Sequence, residues 1–353
     1  MQAVNAATPA ITGGPQAREA GPRAVAAWLL ACCALVFAMV VVGGATRLTH
    51  SGLSIVEWQP LVGTLPPLNE AQWSETFEKY KRTPEFRLRN HDMGVEGFKS
   101  IFWWEYFHRL LGRVIGVAFL LPFLWFWMRG RLDRPLAFKL AGIFALGGLQ
   151  GGMGWYMVKS GLVADPQVSQ FRLTAHLGLA LAIHAAMFWV AHGILRPSPS
   201  GAPAALRRAG LAFAALVLAL ALTGGFVAGI RAGFAYNTWP LMNGHWIPPE
   251  ILLIEPWWRN FGYNMATVQF VHRTLALVVL AGAWILAWRV LASREAAREA
   301  KIAAGTLAGV TLAQVGLGIA TLLMAVPVGL GTAHQGGAVV VLTAALWLAR
   351  SLR

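Results

Sequence analysis

Four of the nine histidines in this 353-residue chain stand where they could bind metal in pairs, His108 with His176 and His272 with His334. The separations are 68 and 62 residues, and the surrounding words repeat: His108-Arg109 answers His272-Arg273, and Thr174-Ala175-His176 answers Thr332-Ala333-His334. Neutral imidazole is a common metal ligand, but an isolated histidine inside a membrane often does no more than hydrogen-bond a neighbouring helix. A metal reading therefore needs all four to be placed alike. One residue breaks the symmetry between the pairs. Glu105 stands about one helical turn before His108, whereas Gln269 holds that place before His272. Two equivalent metal groups would suit simple electron relay, while an acid/base group beside only one of them suggests chemistry at that one. A glutamate at a helix boundary can also merely be solvated or cap a turn.

The elements that must position these residues follow from composition. The chain is 57% hydrophobic and 12% charged, with a positive mean hydropathy, so lipid is the solvent for most of its surface. Apolar stretches recur at 24–44, 107–127, 138–158, 173–193, 209–229, 266–288, 303–324 and 330–349. Each is near the ~20 residues that carry a helix across ~30 Å of hydrocarbon. This predicts an all-α integral membrane protein of eight spans, with no room for a second, soluble domain. The net charge of +14 is distributed by topology and forms no nucleic-acid stripe. Fifteen Lys/Arg against four acids lie in the N-terminal segment, the 129–139, 196–208 and 289–301 loops and the tail. The other side holds fourteen basic residues against eleven acidic ones, mostly in one long loop. The positive-inside rule puts both termini in the cytoplasm and starts the even-numbered spans on the outer face.

The four histidines then fall near the outer starts of spans two, four, six and eight, at one depth. Two imidazoles from different helices at equal depth can approach an iron from opposite sides. A four-helix unit is also wide enough to bury a porphyrin while its propionates stay near the outer surface. Arg109 and Arg273 could fork onto those propionates or snorkel to headgroups. Zinc fits less well, because no H-E-x-x-H or C-x-x-C pattern occurs.

The halves also match at Gly43-Gly44 with Gly224-Gly225, Trp58-Gln59-Pro60-Leu61 with Trp239-Pro240-Leu241, and Pro66-Pro67 with Pro248-Pro249. This predicts two four-helix bundles related by a pseudo-two-fold axis along the membrane normal. The organisation expected is a mobile cytoplasmic lead at 1–23, a first half at 24–193 with a long outer loop at 45–105, a cytoplasmic linker at 194–208 and a second half at 209–350. The first apolar run is too long for a cleaved signal and reads as span one. The long loop should carry an amphipathic surface helix near Glu70–Lys81, and Trp239, Trp246, Trp257 and Trp258 suit the headgroup layer. His184, whose repeat partner is Leu342, reads as structural and His192 as interfacial. His50, His91 and His245 are loop residues, of which His91 and His245 could touch a substrate. Cys32 and Cys33 are adjacent in span one, so a disulfide framework is excluded.

At this point Gly43-Gly44-Ala45-Thr46-Arg47-Leu48-Thr49, Ser51-Gly52-Leu53-Ser54, Glu105-x-x-His108-Arg109, Thr174-Ala175-His176 and Thr332-Ala333-His334-Gln335 resemble the haem A synthase family over about residues 24–350. The resemblance implies oxidation of the C8 methyl group of haem O to a formyl group, giving haem A for terminal oxidases of the cytochrome c oxidase type. His108 and His176, with Arg109, would hold the substrate porphyrin. His272 and His334, with Arg273, would hold a resident haem b. Glu105 would stand beside the reacting methyl, taking a proton or stabilising positive charge as electrons leave through the conjugated ring. Water supplies the oxygen, and a second round gives a geminal diol that collapses to the aldehyde. The resemblance also implies a bacterial inner-membrane location, haem sites toward the outer side, and delivery of haem O by the preceding farnesyl-transferring haem O synthase. Some family members carry an outer-loop cysteine pair proposed to pass redox equivalents. This chain has none there, so its electron acceptor stays open, as does assembly into a homo-oligomer. The rivals are a di-haem b cytochrome for electron transfer, which needs the histidines but not Glu105, and a haem exporter or chaperone holding an unmodified pigment.

Overall fold

A backbone crossing lipid must satisfy its own N–H and C=O groups, which makes a helix of every long apolar run. The computed structural model describes residues 15–57, 62–163, 166–196 and 201–353, with side chains from residue 21 onward. In chain order the helices are α1 (Pro15–Leu48), α2 (Glu70–Lys81), α3 (Pro84–Leu88), α4 (Val95–Met128), α5 (Arg134–Lys159), α6 (Gln170–Leu195), α7 (Ala204–Gly229), α8 (Asn260–Tyr263), α9 (Met265–Ala292), α10 (Arg298–Leu323) and α11 (Val328–Ser351). Eight of them, α1, α4 to α7 and α9 to α11, are long and apolar enough to cross a membrane, so the chain is an all-α, multi-pass membrane protein. Among the described residues the β content is one isolated bridge, Met242 with His245.

Helix starts follow local chemistry. Asp133 caps α5 by accepting from Leu136 N at 2.8 Å, ahead of a proline in the first turn. Asn264 caps α9 by accepting from Ala266 N and Thr267 N. Such caps contribute about 1 kcal/mol each. Two starts differ from the sequence reading. The first helix begins at Pro15, inside the expected lead, and residues 1–14 lie outside the described residues. The second crossing helix begins at Val95, twelve residues before the expected 107. Its charged Glu96, Lys99 and Glu105 disguise an aromatic stripe, Phe98, Phe102 and Tyr106, which is buried under Trp73 and Tyr80 of α2. Trp73 meets Phe102 edge-on at 4.9 Å, and Tyr80 stacks on Phe98 at 5.1 Å. The amphipathic helix thus covers Glu70–Lys81 as expected, packed on the extra turns of α4. His108 consequently lies thirteen residues into its helix, whereas His176, His272 and His334 lie six or seven residues into theirs.

The same helix pairs touch in both halves. In the first, α1 packs on α4 and α6, and α5 on α4 and α6; in the second, α7 packs on α9 and α11, and α10 on α9 and α11. The halves meet through α6 against α11, α1 against α11 and α6 against α7. In the second half small residues bring helices close: Ala300, Ala303, Ala304 and Leu307 of α10 share a core with Ala283 and Ala287 of α9 and Ala345 and Leu348 of α11. The first half is looser at one seam, because α4 rests on α5 far more sparsely than α9 on α10. There α5 carries Gly147, Gly148, Gly151 and Gly152, all facing open space, where the second half has Thr311, Leu312, Val315 and Gly316.

Candidate functional site

Each of the four predicted ligand histidines is backed by a glycine on the neighbouring helix. A methyl group added at Gly43 on α1 would come 3.0 Å from His108 Nε2, and one at Gly154 on α5 would come 3.1 Å from His176 Cε1. In the second half the corresponding approaches are Gly224 to His272 Cε1 at 3.2 Å and Gly318 to His334 Cε1 at 2.7 Å. Only a residue without Cβ lets the imidazoles lie flat against the helix behind them. His108 and His176 lie within electrostatic range of each other, and so do His272 and His334.

Groups behind the rings orient them. Thr223 Oγ1 donates to Leu220 O at 2.7 Å and lies 2.8 Å from His272 Nδ1, so its lone pair accepts the Nδ1 proton and leaves Nε2 as a ligand atom. Gln314 Nε2 donates to His334 O at 2.8 Å and reaches His334 Nδ1 at 3.1 Å. Gln150 Nε2 does the same in the first half, 3.0 Å from His176 O and 3.4 Å from His176 Nε2. Gln150 Oε1 and His176 Nδ1 are buried with no protein partner among the described residues. Paired imidazoles, glycine backing and an oriented ring nitrogen fit a bis-histidine haem, and the second half is the more completely organised of the two. Among the described residues no three His, Cys, Asp or Glu side chains converge as a tetrahedral zinc site would require.

Glu105 is 3% exposed and fully engaged. Its Oε2 accepts from Ser54 N (2.7 Å), Ser54 Oγ (2.7 Å) and Ile55 N (2.9 Å), and its Oε1 accepts from Arg109 Nε (3.1 Å) and Nη2 (2.6 Å). Arg109 also donates to Ile55 O and Glu57 O, pinning the segment that follows α1. Arg273 makes the matching pair of bonds to Tyr236 O and Thr238 O, and Gln269 Nε2 donates to Ala232 O at 2.6 Å. The two arginines, read from sequence as reaching propionates or headgroups, hold backbone carbonyls at equivalent places, and the carboxylate appears in one half only.

The remaining histidines are placed as follows. His184 is buried, with Nε2 2.8 Å from Thr343 Oγ1, and His192 lies 3.0 Å from Glu299 Oε1. His50 accepts from Arg231, His91 pairs with Asp92, and His245 is exposed. Cys32 and Cys33 are free and buried. Trp246, Trp257 and Trp258 are exposed, and Trp58-Gln59-Pro60-Leu61 lies outside the described residues. The backing groups were missed from sequence, although one signal could have found them: 164 residues separate His108 from His272, Gln150 from Gln314 and Gly154 from Gly318.

Glu85 was also missed. It is 2% exposed on α3, beside Tyr80, whose hydroxyl donates to its Oε2 at 3.5 Å and accepts from Asn90 Nδ2 at 2.7 Å. Burial, reinforced by the negative charge of Glu105, pushes its carboxyl up to about 7 from 4.5. The folded protein then binds a proton that the unfolded chain has lost, so stability is highest below about 4.5 and falls as pH rises to about 7. The expected loss is on the order of 3 kcal/mol. Thermal unfolding of wild type should show a lower midpoint at pH 8 than at pH 5.5, and the Glu85→Gln protein should lose most of that difference. An equal pH dependence in both proteins would remove Glu85 as its source.

Known proteins share this sequence along most of its length. The COX15-CtaA family, described as cytochrome oxidase assembly protein, matches residues 26–346. A haem A synthase of Nitrosospira multiformis is 59% identical over 339 residues, covering 93% of each chain. Haem A synthases of Rhodospirillum centenum and Nitrosomonas eutropha are 54% and 52% identical, covering 96% and 93% of this chain and 91% and 93% of their own.

Proposed function

The chain belongs to the COX15-CtaA family of cytochrome oxidase assembly proteins, as a haem A synthase with haem O as substrate and haem A as product, and on that premise we propose how its two halves divide the work. The first half binds haem O between His108 and His176 and oxidises its C8 methyl group to a formyl group. The second half holds a haem b on His272 and His334. When bound, that haem supplies one-electron redox capacity.

The observation that carries this reading is the buried carboxylate of Glu105, one turn from His108, opposite a neutral Gln269 in the other half. With five donors on its two oxygens, Glu105 is a fixed negative charge and not a swinging base. It stabilises positive charge that develops at the methyl carbon as electrons leave, and Arg109 and Ser54 keep it from rotating away. Two waters contribute oxygen in successive rounds: CH3 and two waters become a geminal diol with release of four electrons to an external acceptor and four protons, two from the methyl carbon and two from the waters. Loss of one water leaves the aldehyde. The loose α4–α5 seam supports assigning the exchanged porphyrin to the first half, since a substrate carrying a farnesyl tail must enter and leave through lipid. The excess of basic residues on one side supports an inner-membrane orientation with both termini cytoplasmic and the histidines toward the outer face. Haem O synthase is the supplier that this reading implies.

Mass analysis of pigments extracted from the purified protein, expressed with a source of haem O, tests the proposal directly. Porphyrins bearing a hydroxymethyl or formyl group at C8 are expected beside unmodified haem b. Only unmodified pigments, under conditions where haem O is present, would reduce the protein to a carrier or relay.

A further inference from the structure

Where the seam between the halves reaches the histidine end, basic groups from both gather around His50. Arg231 donates through Nη2 to His50 Nδ1 at 3.1 Å. Arg47 donates through Nη1 to Ala228 O at 2.7 Å, so each half reaches into the other. Arg47 Nε is buried with no partner among the described residues. Arg89, just past α3, joins the group: after burial, the charges of Arg231, Arg89 and Arg47 hold His50 below the usual imidazole range. His50 and Arg231 both take left-handed backbone, φ 54° and 59°, at equivalent places after α1 and α7. Non-glycine residues are strained there, and surrounding structure maintains such strain at functional sites.

A porphyrin brings two carboxylates that are costly to bury without cations. Arg109, the first candidate in this half, is engaged at all three guanidinium nitrogens, with Glu105, Ile55 O and Glu57 O. Arg47 stands four residues beyond Gly43, the residue against which His108 packs, which is about 6 Å along the helix. Its backbone thus lies about a turn from the residue that backs the ligand, within reach of carboxylates on a macrocycle's rim.

We propose that Arg47, with Arg231 and His50, forms a carboxylate-binding site for the propionates of the first-half porphyrin, assembled from both halves. The repeat counterpart of Arg47 is Ala228, so the site is single. It rests on the haem reading above and deepens it.

The test follows haem leaving the purified full-length protein into excess apomyoglobin, with the first-half phase identified by its absence in His176→Ala. In Arg47→Gln that phase should accelerate about tenfold, the usual scale for one charge-assisted contact. Arg231→Gln should accelerate it less, in the same direction. Protein reconstituted with haem dimethyl ester, whose carboxylates are blocked, should release pigment at the same rate with or without Arg47. An unchanged phase in both variants, or equal acceleration for acid and ester, overturns the site and leaves Arg47 a packing role. Helical circular dichroism of each variant separates these results from misfolding. Absence of a Soret band in wild type would sink the haem reading itself, whereas a normal band with insensitive release would sink only this site.

Discussion

Glu105→Gln should retain near wild-type haem content while its haem A formation falls at least about 100-fold, the scale of removing one positioned acid/base or electrostatic group. The isosteric amide keeps the shape that fills the corner behind Ser54 and Ile55, and Arg109 keeps its bonds to Ile55 O and Glu57 O. What disappears is the charge. Pigment analysis and the Soret absorbance of the purified variant check both parts at once. A protein that only relayed electrons would lose neither haem nor rate, and an unchanged yield of haem A would contradict the role assigned to Glu105. The reciprocal change, Gln269→Glu, should not create activity in the second half.

The second large effect lies behind a ligand. Gly318→Ala should cost the protein about one of its two haems, because the new methyl would sit 2.7 Å from His334 Cε1, where the ring cannot retreat without leaving its partner His272. Gly316→Ala, two residues away with nothing within 4 Å, is the matched control and should be silent. Haem-to-protein ratios by pyridine haemochrome, with redox titration to show which haem is lost, decide it. Full occupancy in Gly318→Ala would mean that His334 does not lie flat against α10 in the loaded protein.

Much of this arrangement could be read from residue order, for reasons specific to lipid. Eight apolar runs admit one secondary structure, and the tally of arginines and lysines ranks the two sides without coordinates. The helix at Glu70–Lys81 was legible because Trp73, Phe77 and Tyr80 recur on one face among charged residues. The start of α4 was not, because the aromatic stripe Phe98–Phe102–Tyr106 answers to α2 and not to lipid, so charge on its other face hid it. Histidine pairing followed from the repeat. The glycines and glutamines behind the rings share that repeat but are unremarkable residue types, and only their approach to the imidazoles reveals their purpose. The arginines' contacts were open in the sequence for a physical reason: a guanidinium next to a ligand can reach a propionate, a headgroup or a backbone carbonyl, and the path of the loop supplies the carbonyls seen here.

The sparse contact between α4 and α5 has a kinetic meaning. If the two halves divide the work as proposed, one architecture serves two guests with opposite needs, a lodger that stays for the lifetime of the protein and a visitor that departs after each turnover. Tight affinity would trap the visitor as surely as it keeps the lodger. On that proposal the four glycines of α5, with nothing packed against them, would shorten the visitor's residence without touching its ligands, and the pace of release would follow how readily two helices part in the bilayer.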